Sequence, residues 1–120
     1  MAHIPNIATM PSSKIVFNGP LDEMSTYYIR VTNVGDQAIK FGIKTSTPRL
    51  FAKPNKEMLN AGASMDIGIT RDGFDPAMEE TKGDTLTLEW SAMNESEVFQ
   101  PGTMKGDGLL RKMLYIEYNV

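Results

Sequence analysis

Apolar residues in this chain recur at every second position, segment after segment, and nowhere with the three-to-four spacing of an amphipathic helix. In "TYYIRVTN", Tyr27, Ile29 and Val31 fall on one side and Tyr28, Arg30 and Thr32 on the other, the pattern of a strand buried on one face. The same reading turns Ile39, Phe41 and Ile43 inward in "AIKFGIKT", Met65, Ile67 and Ile69 in "SMDIGIT", Leu86, Leu88 and Trp90 in "TLTLEW", and Leu114, Ile116 and Tyr118 in "MLYIEYNV". "KIVFN" and "RLFAK" are shorter candidates. The clusters "NGP", "NVGD", "NAG", "DGFDP", "KGD" and "GDG" stop the runs, because Gly and Asn accept positive φ and Pro removes a ladder donor. Short alternating strands separated by such turns predict an all-β fold, a seven-stranded antiparallel β-sandwich of immunoglobulin type. "DPAMEETKG" and "NESEVFQPG" each have room for one helical turn and no more.

The chain of 120 residues has the length of one domain, 1–120, and buries about two-thirds of its unfolded surface by ordinary size scaling. Residues 1–13 are expected to form an extended N-terminal segment. With no cysteine, thiol nucleophiles, thiolate zinc sites and disulfides are excluded together. "MAHIPNIATMPSSK" lacks the basic start and apolar run of a signal peptide, and no apolar stretch is long enough to span a bilayer, so a soluble, cytoplasmic protein without direct membrane insertion is expected. A net charge of −3 has the wrong sign for bulk attraction to nucleic acid.

Candidate chemistry is sparse. The single histidine, His3, lies in the terminal segment and is better explained as exposed than as a catalytic base or metal ligand. The acidic stretch "RDGFDPAMEETKGD" lacks the alternating oxygen ligands and turn glycine of a calcium loop and is expected to be a solvated loop. "GDGLL" is too short for a phosphate-binding loop and leads into a strand. Nine methionines are accounted for mainly by core filling. No catalytic residue, cofactor or metal is nominated, and the chain is not expected to be an enzyme.

The segments "KIVFNGP", "YYIRVTN", "FGIKTSTPRLFAKPN", "LTLEW" and "GDGLLRKMLYIEYNV" together resemble the major sperm protein domain, in that family's order and over nearly the whole chain. The terminal "GDG" followed by "IEYN" resembles the nematode sperm branch. That resemblance implies a non-enzymatic cytoskeletal protein in the sperm pseudopod. Such a protein dimerises with itself, or binds filament proteins of the same type, in the filaments behind amoeboid crawling. "FGIKTSTPRLFAKPN" also resembles the VAP branch, whose basic turn binds acidic peptide motifs. Lys44 and Thr45 match that pattern, whereas Gly42 and Thr85 stand where it carries lysines. The alternative function is therefore an adaptor capturing acidic motifs through the basic surface of residues 44–53, at Lys44, Thr45, Arg49 and Lys53.

The stretch 41–55 reads physically as a strand leaving its sheet. Thr45, Ser46 and Thr47 can bond nearby backbone, Pro48 pushes Thr47 towards an extended conformation, and Pro54 closes the next strand. Gly42 and Gly68 occupy outward positions, where a missing side chain permits close approach by another backbone. The expected protein-contact surface comprises Lys40, Gly42, Lys44, Thr45, Arg49, Lys53 and Gly68, with Lys40, Gly42, Lys44 and Gly68 on one sheet face.

Overall fold

The alternating segments all become strands, and each turns the expected side inward. The computed structural model describes residues 6–79, 82–93 and 110–119. Nine strands lie among them: β1 (Ile7–Met10), β2 (Lys14–Asn18), β3 (Ser25–Asn33), β4 (Ile39–Thr45), β5 (Leu50–Lys53), β6 (Lys56–Leu59), β7 (Ser64–Arg71), β8 (Thr85–Ala92) and β9 (Leu110–Asn119). They form two layers, a four-stranded sheet in the order β1-β3-β7-β5 and a five-stranded sheet in the order β2-β9-β8-β4-β6. The core between them contains Ile15, Phe17, Ile29, Val31, Ile39, Phe41, Ile67, Ile69, Leu86, Leu88, Trp90, Leu114 and Ile116, and burial of this apolar surface is the main force holding the layers together.

This is the expected all-β sandwich, with two corrections. Two strands, β1 and β6, were not expected, and both arise where the chain changes sheets at a proline. β1 lies in one sheet and β2 in the other, with Pro11 between them; β5 and β6 are likewise split by Pro54. Proline cannot donate to a ladder, so a run that meets one ends its pairing and resumes on the other layer. The second correction concerns direction. β2 runs parallel to β9, with Lys14 beside Tyr115 and Asn18 beside Asn119, while the remaining pairings are antiparallel. Within the N-terminal segment, β1 pairs with β3, with Met10 beside Arg30 and Ile7 beside Asn33. "DPAMEETKG" does contain a single turn, in which Met78 N and Glu79 N donate to Asp75 O. His3, "NESEVFQPG" and the "GDG" turn lie outside the described residues.

Candidate functional site

Alternation along β4 turns Lys40, Gly42 and Lys44 to the outer face of the five-stranded sheet. The register places Gly42 between Lys56 of β6 and Glu89 of β8, and Glu89 opposite Arg111 of β9. The Glu89 side chain is only 5% exposed although it belongs to an outer face. Lys44 Nζ lies 2.9 Å from one carboxylate oxygen and Arg111 Nε donates to the other at 2.7 Å. Lys44 is diagonal to Glu89 in the register, so the carboxylate reaches along the sheet past Gly42, which offers no side chain to obstruct it. The Lys44 hydrogen bond, reinforced by Arg111, holds the Glu89 carboxyl below its ordinary pKa against the opposing effect of burial. Gly42 is buried although alternation turns it to the outer face.

Gly68 belongs to the other sheet. It is paired with Tyr28 and Lys53, and the grouping of Lys40, Gly42, Lys44 and Gly68 on one face is corrected accordingly. A Cβ at Gly68 would lie 3.4 Å from Tyr28 Cε1 and 3.4 Å from Thr26 Cγ2. The glycine makes room for its own sheet's tyrosine. Around it the outer face is crossed by matched pairs, Thr26 with Thr70 at 2.9 Å, Arg30 with Asp66 at 3.0 Å and Thr32 with Ser64 at 2.7 Å. Lys53 is exposed on the edge strand β5 of this sheet.

Thr45 and Arg49 finish β4 and turn the chain towards the other layer. The Thr45 hydroxyl hydrogen is shared between the carbonyls of Thr47 and Leu50, at 3.0 and 2.9 Å. Ser46 Oγ accepts from Thr85 N at 2.8 Å, as the Thr/Ser composition of the turn suggests. Arg49 was expected to face solvent but is only 10% exposed. Its Nη2 donates to Asp84 at 2.6 Å, Nη1 to Glu79 at 3.1 Å and Nε to Tyr118 Oη at 3.3 Å. Its guanidinium lies 4.5 Å from the Phe74 ring centre. These internal partners join the β4–β5 turn, the segment before β8 and the end of β9.

The Tyr118 hydroxyl donates to Asp84 at 2.5 Å, and burial, with that hydrogen bond, pushes its pKa up to about 12. Below about pH 10, the ordinary tyrosine value, folded and unfolded chains are both protonated and the contribution is complete. Between there and about 12 the unfolded chain loses the proton first, so stability falls as pH rises. Tyr118→Phe is expected to flatten that alkaline limb in denaturant titrations; an unchanged slope would refute the assignment.

The outer face of the five-stranded sheet also presents two large residues that site reasoning missed, Met113 at 48% exposure and Tyr115 at 59%. They are the outward partners of Leu114 and Ile116 in "MLYIEYNV", so the signal was there: a strand whose inward positions are already apolar has no core use for these two. Thr87 stands beside Met113, with Lys44 beyond it, and Thr85 beside Tyr115. Outward register positions on this face hold Lys14, Lys40, Lys44, Lys56 and Arg111 against Glu89 and Glu117, a positive excess in a chain of net charge −3. Among the described residues, no group of three His, Cys, Asp or Glu side chains converges as a metal site, and no helix is long and apolar enough to cross a membrane.

Residues 6–105 match the family model of the MSP (major sperm protein) domain. Major sperm protein 2 of Globodera rostochiensis is 44% identical over 126 aligned positions, covering 100% of both chains. Major sperm protein isoform beta of Ascaris suum is 38% identical, with 96% of this chain and 94% of that one covered. Among solved structures, SSP-19, an MSP-domain protein like family member in Caenorhabditis elegans, superposes with a TM-score of 0.68 at 17% identity, covering 92% of this chain and 98% of that one. At that identity the superposition supports the sandwich fold alone.

Proposed function

The chain belongs to the major sperm protein domain family, and from that membership we propose that it is a non-enzymatic cytoskeletal protein of nematode sperm that self-associates and forms or modulates filaments. Its expected place is the sperm cytoplasm, in the pseudopod cytoskeleton. The observation that carries the choice of contact surface is the outer face of β4, β8 and β9, where exposed Met113 and Tyr115 stand among a surplus of cations. Apolar residues at the centre of a polar rim are the usual anatomy of a protein contact. Lys40, Gly42 and Lys44 belong to this face; Gly68 and Lys53 lie on the other sheet, and Arg49 is engaged internally.

Sedimentation over a wide concentration range is expected to show reversible association of the wild-type chain. Met113→Glu should weaken it by about tenfold or more, as for a central contact residue, with little change in melting temperature because the side chain is half exposed. A wild-type protein that stays strictly monomeric and neither assembles nor binds sperm filaments would overturn the proposed function.

A further inference from the structure

At the end of the sandwich beyond Asn18 and Arg71, an open pocket of about 390 Å3 lies between two loops and is lined by Pro20, Leu21, Asp22, Phe74, Asp75 and Pro76. Its apolar lining comes from Pro20, Leu21, Phe74 and Pro76. Asp22 and Asp75 are exposed carboxylates, and Glu23 is exposed beside them.

The walls are fixed from below. Arg71 is fully buried, and its guanidinium donates to Leu21 O at 2.8 Å, Asp72 O at 3.2 Å and Pro20 O at 3.4 Å. Phe74 N donates to Leu21 O at 2.8 Å, and the Phe74 ring has Arg49 4.5 Å and Arg71 5.7 Å from its centre. The loops touch backbone to backbone at Gly73, where a Cβ would lie 2.3 Å from Asp22 O. A recess built this rigidly loses little freedom when something enters it, which favours binding.

We propose that this pocket docks a second copy of the chain, receiving the Met113 side chain from that copy's five-stranded sheet face. The proposal rests on the self-association reading above and specifies its geometry. Charge selects the occupant. An apolar recess edged by Asp22 and Asp75 suits an apolar side chain surrounded by cations, and Met113 has Arg111 two residues away on its own strand and Lys44 across Thr87 in the same row. The flexible thioether chain of methionine adapts to an irregular recess. The outer face of the four-stranded sheet also exposes Met10, Tyr28 and Phe51, but its outward charges are Arg30 and Lys53 against Asp66, a smaller positive excess than on the five-stranded face, where Lys44 and Arg111 share the single carboxylate of Glu89. A copy cannot fill its own pocket, because Met113 lies six strand residues before Asn119 at the pocket end of β9, about 20 Å away at strand spacing. Donor and acceptor are therefore different surfaces, and such head-to-tail contacts propagate into open chains unless the rotation closes a ring.

The test uses the full chain and two variants. Asp22→Asn/Asp75→Asn discharges the rim and keeps side-chain shape, including the oxygen with which Asp75 accepts from Ala77 N; Met113→Glu alters the inserting residue. Each alone is expected to lose at least about tenfold in association by sedimentation, Met113→Glu with wild-type melting temperature and Asp22→Asn/Asp75→Asn with a slightly lowered one, because the Asp22 charge helps to offset the burial of Arg71, while still folded at the temperature of the measurement. Mixed together they should form a 1:1 complex that does not grow, because one retains the pocket and the other the face. Raising salt should weaken wild-type association, since the rim charges are exposed. If the wild type assembles and the Asp22→Asn/Asp75→Asn variant assembles equally well, the pocket proposal fails and self-association stands. If both variants are defective and the mixture forms nothing, the contact is not head to tail. A monomeric wild type overturns both.

Discussion

Arg71→Ala is expected to destabilise the fold by about 3–5 kcal/mol, the range seen when a buried charged hydrogen-bonding group is removed and its partners are left behind. The carbonyls of Pro20, Leu21 and Asp72 would lose this donor, although Leu21 O keeps a second one, from Phe74 N. The rings of Phe17 and Phe74, with centres 5.4 and 5.7 Å from the guanidinium carbon, would lose the cation beside them, and alanine would leave a cavity. Burial disfavours the Arg71 charge and lowers its pKa, while Tyr118 and Asp22 partly offset that effect. Arg71→Lys should recover only part of the loss, because one ammonium cannot reproduce the planar fork that reaches both loops. Urea unfolding should show a lower midpoint with an unchanged slope. A loss of under about 1 kcal/mol for Arg71→Ala, no more than an ordinary single hydrogen bond, would mean that the loops hold without it.

Arg49→Ala is the second large effect, expected to cost about 3 kcal/mol, because Asp84 would remain as a nearly buried carboxylate without its cation. Asp84→Asn should cost less, about 1–2 kcal/mol, since the amide still accepts from Arg49 or Tyr118 with a neutral oxygen. The double variant should lose less than the sum of the two, the sign of direct coupling. Thermal unfolding of the three proteins checks this and also tests the adaptor alternative. A surface arginine awaiting an acidic peptide would be removed with almost no change in stability, and additive, near-zero effects would return Arg49 to that role.

The inward faces of β3, β4, β7, β8 and β9 were legible because each follows strict alternation over five or more residues. β1 and β6 were not. Each has only four residues; β5 is as short but offers the apolar run Leu50, Phe51 and Ala52, whereas "KEML" carries charge on two of its four and "IATM" holds only two inward positions, too few to establish a period. The parallel pairing of β2 was also beyond reach, since its partner lies at the far end of the chain and local pattern carries no direction. Lys40, Gly42 and Lys44 were placed on an outward face by alternation, which works within one strand. Adding Gly68 to them required knowing that β4 and β7 enter different sheets, which alternation does not encode. Arg49 was misjudged because a cation in a Pro-rich turn ordinarily meets water. What draws it in is Asp84 and Tyr118, 35 and 69 residues later.

The parallel ladder between β2 and β9 has a consequence for how the molecule is made. Among the described residues, β2 is an edge strand whose one ladder neighbour is β9, and the Asn18–Asn119 hydrogen bond joins residues 101 positions apart. As the chain leaves the ribosome, β2 emerges well ahead of β9, which pairs with it from 101 residues further on. Its backbone donors wait for their partner while the intervening segments are made, and a loop that long closes late because the entropy of closure must be met before the ladder rewards it. The outer face that carries Lys44, Glu89 and Arg111 does not exist until β9 docks. An unfinished chain therefore has no such face to offer another copy, and the order of synthesis itself separates folding from assembly.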